Sequence, residues 1–236
     1  MKPRKPFAVL SYRTIFICLL AAFFESNALA VVFTSGIISF DYNLPGYYPG
    51  YTTGPGAIGS AGDTWNVTSI VGSSPVTLET TTGQATDVAW NFTTSGGQSV
   101  TLGGTYGPLF EDSSALTSSP TITGLTPDQT YVLYIYSAYW GQVWDVNGVN
   151  FSTPEIVNAG SVNTLTDGVN YDVETVTADA TGTLTFSNVS SQNGPPEISA
   201  WQLTPVPEPS VCALLAVGAS CLTWRMRVKN KRVWKF

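Results

Sequence analysis

From Val31 to Pro205 the chain contains no Lys, Arg, His or Cys. A fold built from that stretch can use neither disulfides nor ion pairs, so apolar burial and hydrogen bonds must hold it. About 175 residues are enough to bury a core. The same stretch carries 14 of the chain's 16 acids, Glu25 and Glu208 being the exceptions, and its formal charge is −14 against −6 for all 236 residues. Only 11% of residues are charged, where soluble domains average roughly 25%, so uncharged polar groups must cover the surface.

These absences exclude whole classes of function. Nucleic-acid affinity comes largely from Lys and Arg neutralising phosphates, so nucleic acid is not expected as a partner. Acidic polysaccharides are poor partners for the same reason. Without His the commonest general base and metal ligand is missing, and with it the Ser–His and Cys–His nucleophile pairs. Without Lys there is no Schiff-base chemistry. Carboxylate, hydroxyl and phenol chemistry remain, or no catalysis at all.

Within the cation-free stretch, short β-branched and aromatic runs alternate with Gly, Ser, Asn and Pro clusters, the pattern of an all-β domain. Strands are expected at Val32–Tyr42, Trp65–Val71, Val76–Thr81, Thr86–Thr93, Ser99–Leu102 and Thr121–Gly124. Further strands are expected at Tyr131–Ala138, Gln142–Val146, Val149–Thr153, Tyr171–Ala178, Gly182–Ser187 and Ile198–Leu203. Asn147-Gly148 sits between two of these runs and is the preferred pair for a two-residue type I′ hairpin. Ten to twelve strands without a fixed repeat predict a jelly-roll-like β-sandwich. Trp65, Trp90, Trp144 and Trp201 fall within or at the ends of these runs and are expected in the core.

The two ends are of a different kind. Residues 1–30 read as a signal peptide: Lys2, Arg4, Lys5 and Arg13 lead into the apolar run Ile15–Phe24, and Ala28-Leu29-Ala30 supplies the small residues a signal peptidase needs. Cleavage is expected between Ala30 and Val31. The displayed domain is then residues 31–204, and residues 205–236 form a tail. That tail opens with Val206-Pro207-Glu208-Pro209-Ser210, continues through the mostly apolar stretch 211–224 and ends in a basic segment, 225–236, with six Lys and Arg. As a helix, residues 211–224 would span about 21 Å, short of the roughly 30 Å of a bilayer core. The basic end would stay cytoplasmic by the positive-inside rule.

Motif, short hydrophobic helix and basic end, in that order, resemble the PEP-CTERM sorting signal of Gram-negative bacteria. The resemblance implies a protein processed by signal peptidase and an exosortase, held transiently in the inner membrane and then released to the cell surface or extracellular matrix. Such proteins are associated with extracellular polysaccharide and biofilm. Four internal stretches also look like a β-sandwich module common in these proteins. They are Gly54-Pro55-Gly56-Ala57 with Gly62–Asn66, Ile122–Tyr136, Val146-Asn147-Gly148, and Ile198–Leu203. That module has no defined activity, so the likeness implies fold and setting alone.

Candidate ligand contacts are aromatic. Tyr47, Tyr48 and Tyr51 cluster in a Gly- and Pro-rich loop, and Trp140 follows a strand end; a flat ring with a polar handle suits a wet, neutral glycan. Packing at the sandwich ends is the plainer reading of the same rings. Asp41, Asp63, Asp145, Asp167 and Asp172 lie at strand ends or turns, where oxygen ligands for Ca²⁺ could converge, although turn formation alone accounts for such residues. No other cofactor is expected. Glu79, Glu111, Asp112, Glu155, Glu174 and Glu197 could supply a glycosidase carboxylate pair, but none falls in a recognisable catalytic pattern, and the domain is expected to be non-catalytic. Asn-x-Ser/Thr sequons begin at Asn66, Asn91, Asn150 and Asn188.

Charge predicts one solution property. Acids without counter-charges repel, so moderate salt should raise the melting temperature of residues 31–205 by screening. A melting temperature that stays flat from low to high salt would contradict the charge argument.

Overall fold

The computed structural model describes residues 33–43, 50–69, 72–156 and 158–207. The expected leader, with Ala28, Ala30 and Val31, lies outside them, as do Tyr47, Tyr48 and the tail from Glu208 onward. No helix among the described residues is long and apolar enough to cross a membrane.

The described chain is all-β. Its strands are β1 (Ile38–Asn43), β2 (Asn66–Ser69), β3 (Gly72–Glu79), β4 (Ala85–Ser99), β5 (Asp112–Leu116), β6 (Thr121–Thr123), β7 (Thr130–Tyr136), β8 (Gln142–Val146), β9 (Val149–Thr153), β10 (Tyr171–Thr177), β11 (Leu184–Ser191), β12 (Glu197–Ile198) and β13 (Ala200–Pro205). They form two sheets, as in a β-sandwich. One has the order β10-β7-β13-β1-β2; the other runs β12-β5-β4-β6-β11-β8-β9, with β3 paired to β4.

Side-chain alternation places the core between the sheets. On β4, Val88, Trp90 and Phe92 are buried while Asp87 is exposed; on β7, Tyr131, Leu133 and Ile135 are buried while Val132 and Tyr134 are half-buried. Period-2 burial of this kind turns one face of each strand to the core. Rings fill the centre. Phe40 stacks on Trp201 at 5.5 Å, and Trp90 meets Trp201 at 5.4 Å and Phe186 at 5.1 Å. Each such pair contributes about 0.5–1.5 kcal/mol beyond the area it buries. The Trp90 indole N–H donates to the Tyr42 hydroxyl at 2.9 Å, so this polar group is satisfied inside the core.

The predicted hairpin is present with its predicted strands: β8 and β9 pair from Gln142↔Thr153 to Val146↔Val149. Asn147 and Gly148 have φ of 49° and 87°, the paired positive values a type I′ turn requires. Four strand expectations need correction, one being Ile198–Leu203, which is divided at Ser199 between β12 of one sheet and β13 of the other. The first strand begins at Ile38 and not Val32, after Gly36 with φ of 95° interrupts the extended chain. The run Ser99–Leu102 is not a separate strand, because β4 continues to Ser99 and Gly103 forms an isolated bridge with Ser161. β5, Asp-Ser-Ser-Ala-Leu, was not expected, yet all five of its residues are buried.

Two glycines with positive φ separate backbone strain from steric blockage. Gly124 has φ of 78° and a Cβ there would collide with the Asp87 carbonyl, whereas Gly148 has φ of 87° and open space around it. Denaturant melts should show Gly148→Ala costing about 1–2 kcal/mol and Gly124→Ala about 3–5 kcal/mol. Equal losses would mean that the close approach of Gly124 to β4 does not matter.

Candidate functional site

The five-stranded sheet is covered on both faces. Its second face packs against Tyr51, Trp65, Leu109, Phe110, Ile156 and Val162, brought in by the long connections around residues 50–65, 100–111 and 154–170. A hydrogen-bond network pins the first of these. The Tyr136 hydroxyl donates to Gln202 Oε1 at 2.5 Å and accepts from the Ala57 N–H at 2.6 Å. Gln202 Nε2 donates to Ser39 Oγ and to the Ile58 carbonyl, and the Trp65 indole donates to the Gly54 carbonyl. A Cβ on Gly56 would strike Gln202 and Tyr136. The Gly-Pro-Gly stretch is therefore glycine-rich because the loop lies directly against polar side chains of the sheet.

Beside this network lie buried carboxyl groups. Asp41 is fully buried; its Oδ2 accepts the Tyr51 N–H at 2.7 Å and its Oδ1 has no hydrogen-bond partner. Burial, followed by the neighbouring charges of Asp112 and Glu111, holds the Asp41 pKa well above the usual carboxylate range, against the lowering effect of the Tyr51 N–H. Glu111 is also raised, mainly by burial. On β12, Glu197 has no exposed surface and accepts from Ser113 Oγ at 3.0 Å. Burial raises its pKa from 4.5 to about 7, opposed by hydrogen bonds from Ser113 and the Trp140 N–H. With no cation within reach, the low-dielectric interior favours the protonated form. Glu111, Asp112 and Glu197 were candidates for a carboxylate pair and Asp41 for a Ca²⁺ ligand, but all four are interior groups, 8%, 3%, 0% and 0% exposed.

The Ca²⁺ candidates are dispersed. Asp63 accepts from the Ser60 N–H, Asp145 from the Gly148 N–H of the hairpin, and Asp172 from the Ser152 N–H. Asp167 forms an isolated bridge with Tyr171. Each serves its own turn or strand end, and among the described residues no group of three or more Asp, Glu, Cys or His could hold a metal. Of the other acids, Glu79 and Glu174 are exposed on β3 and β10, and Glu155 accepts from Asn158.

Strand register defines two poles. Pro205 pairs with Tyr131, and Phe33 stacks on the same Tyr131 ring at 6.2 Å, so both ends of the described chain leave the pole carrying Thr130 and Thr177. The Asn147-Gly148 turn lies at that pole too, since Asn147 donates to the Thr177 carbonyl. Asn43, Tyr136, Tyr171 and Gln142 lie at the other. Asn43 and Gly50, which bracket the segment with Tyr47 and Tyr48, are close together at this distal pole. Tyr51 is only 8% exposed; it packs edge-on against Trp65, and its hydroxyl donates to the Pro55 carbonyl, so its ring serves the second core instead of standing free. Trp140 is half-buried, meets Tyr139 edge-on at 4.7 Å and lies against Gly194.

Sequence reasoning missed the surface pockets. One of about 260 Å³ spans β8, β9 and β11 near Gly141, Gln142 and Thr153. Another of about 370 Å³ is lined by Trp144, Asn188 and Ser118, and a third of about 260 Å³ by Asn91, Thr93 and Ser118. No charged side chain lines any of the three.

No family model matches the chain, and no curated protein matches it. Among solved structures, the Bacillus subtilis protein YxiM has a TM-score of 0.38 at 10% identity, covering 73% of this chain and 41% of that one. A Bacteroides uniformis beta-glucuronidase has a TM-score of 0.37 at 12% identity, covering 50% of this chain and 14% of its own. Bacteroides uniformis beta-glucuronidase 2, covalently bound to cyclophellitol-6-carboxylate aziridine, has a TM-score of 0.41 at 10% identity, with coverages of 72% and 18%. The chain spans less than half the length of each of these proteins, and resemblance at this level has no bearing on activity.

The buried acids make stability pH-dependent although His is absent. Glu197 is raised in the fold, so its contribution is complete below about pH 4.5 and is lost as pH rises through about 7. The interval corresponds to about 3 kcal/mol, and Asp41 acts in the same direction. Denaturant melts should show the wild type losing stability between pH 5 and 8, with a shallower slope in Glu197→Gln. Identical slopes would show that Glu197 ionises as freely as in the unfolded chain.

Proposed function

We propose that this chain is an exported, non-catalytic, jelly-roll-like β-sandwich protein that an exosortase-type system delivers to the cell surface or extracellular matrix, where it binds neutral glycan. One observation supports the sorting part: among the described residues, the first to join the core and the last to bond to the sheet lie close to the expected processing points. Phe33, two residues beyond the expected cleavage point, is already buried in the core. At the other end Val206 donates to the Thr130 carbonyl and accepts from Gln129 Nε2, and Pro207, the last described residue, is exposed.

The uncharged pockets, on a domain with a formal charge of −14, support a neutral ligand over an acidic one. The burial of Asp41, Asp112 and Glu197 supports a non-catalytic reading, because a glycosidase pair must flank its substrate.

The sorting reading is tested by expressing the full chain in a Gram-negative host with and without an exosortase. The mature protein should begin at Val31, and Glu208→Ala should keep it in the membrane fraction when the exosortase is present. Recovery of the intact chain from cytosol, with residues 1–30 attached, would overturn the proposal.

A further inference from the structure

The two large apolar side chains that stand exposed among the described residues are Val169 and Val189, at 55% and 60%. Each adjoins a residue lining the same pocket: Val169 follows Gly168, and Val189 precedes Ser190. Val189 is there because of a β-bulge. β11 pairs with β8 through Asn188↔Trp144 and then Ser190↔Val143, which leaves Val189 as the extra residue. A bulge re-aims a side chain at a local cost in pairing, and here the re-aimed group is a valine facing water.

The groove beside it runs across three strands, since Ser190 pairs with Val143 and Val143 with Ser152. Beneath lie Gln142 and Thr153, 2% and 3% exposed. Gln142 is fixed, its Nε2 donating to Ser191 Oγ and its Oε1 accepting from Asn188. Thr153 Oγ1 has no hydrogen-bond partner. A buried hydroxyl left unpaired costs about 1–3 kcal/mol, which a ligand hydroxyl could recover. Asp172, which accepts the Ser152 N–H, would repel an anionic sugar. The volume, about 260 Å³, is below the roughly 300–1,000 Å³ of drug-sized sites and suits one ring of a longer chain. The groove lies at the pole opposite both ends of the described chain.

We propose that this groove over β8, β9 and β11 is a subsite for one neutral pyranose unit of a polysaccharide, its hydroxyls toward the polar floor and its C–H face against Val143 and Pro154, which line the same groove. The assignment deepens the neutral-glycan reading above and rests on it.

The test uses the full chain in a detergent without a sugar headgroup, passed over immobilised dextran, cello-oligosaccharide and polygalacturonate. Wild type should be retained by at least one neutral matrix and not by polygalacturonate. Ser152→Tyr and Ser190→Tyr, which each fill the groove from a different strand, should each weaken retention about tenfold with unchanged melting temperatures. Thr93→Tyr, in a different pocket, should bind as wild type. If both groove variants bind a neutral matrix as tightly as wild type, the groove assignment fails while glycan binding stands. If wild type binds no neutral matrix, or only polygalacturonate, the glycan reading fails and takes the subsite with it.

Discussion

The fold depends on inter-sheet packing of rings that has no electrostatic substitute. Phe40, Trp90, Phe186 and Trp201 meet where β1 and β13 of one sheet face β4 and β11 of the other. Aliphatic side chains such as Val88, Leu133 and Leu184 complete the same core, and neither disulfide nor ion pair can join the layers, because the chain between Val31 and Pro205 offers no cysteine to cross-link and no cation to pair with its acids. The polar interior follows from the same shortage. Gln202, Tyr136, Ser39 and Asn66 do in amide and hydroxyl bonds what ion pairs do elsewhere, and such bonds hold only when donors and acceptors are matched almost completely.

That constraint explains which acids are inside. A carboxyl without a cation can be buried only as the neutral acid or when N–H and O–H groups reach it. Asp41 and Glu197 meet this condition with one or two donors each and raised affinity for a proton. Burial thus raises the proton affinity of both groups, that of Glu197 to a pKa of about 7.

Much of the fold could be read from the sequence. Strands such as β7, β8 and β9 alternate strongly and end at Asn-Gly or Pro, so their limits matched expectation within a residue or two. β5 escaped because Asp112, Ser113 and Ser114 have the composition of a loop, and only burial on both faces makes a strand of them. Tyr51 was legible as an aromatic but not as a buried one: its position depends on Trp65 and on the closed loop at Gly54 and Pro55, which are contacts of tertiary structure. The carboxyl cluster was equally hidden, since Asp41 and Asp112 are 71 residues apart in sequence and meet only through the stacking of β1 and β5. The groove over β8, β9 and β11 had no sequence signal either. A bulge is a mismatch between two strands and cannot be seen in one of them.

The position of β13 carries a mechanical consequence. It is the last strand before the tail, yet it lies in the middle of its sheet, bonded to β1 on one side and β7 on the other, antiparallel to both. Antiparallel ladder bonds run perpendicular to the strands. A pull on Pro205 along the strand axis therefore loads both ladders in shear, all bonds at once, and does not peel them one by one. A load applied there is shared between two neighbouring strands and does not fall on a sheet edge.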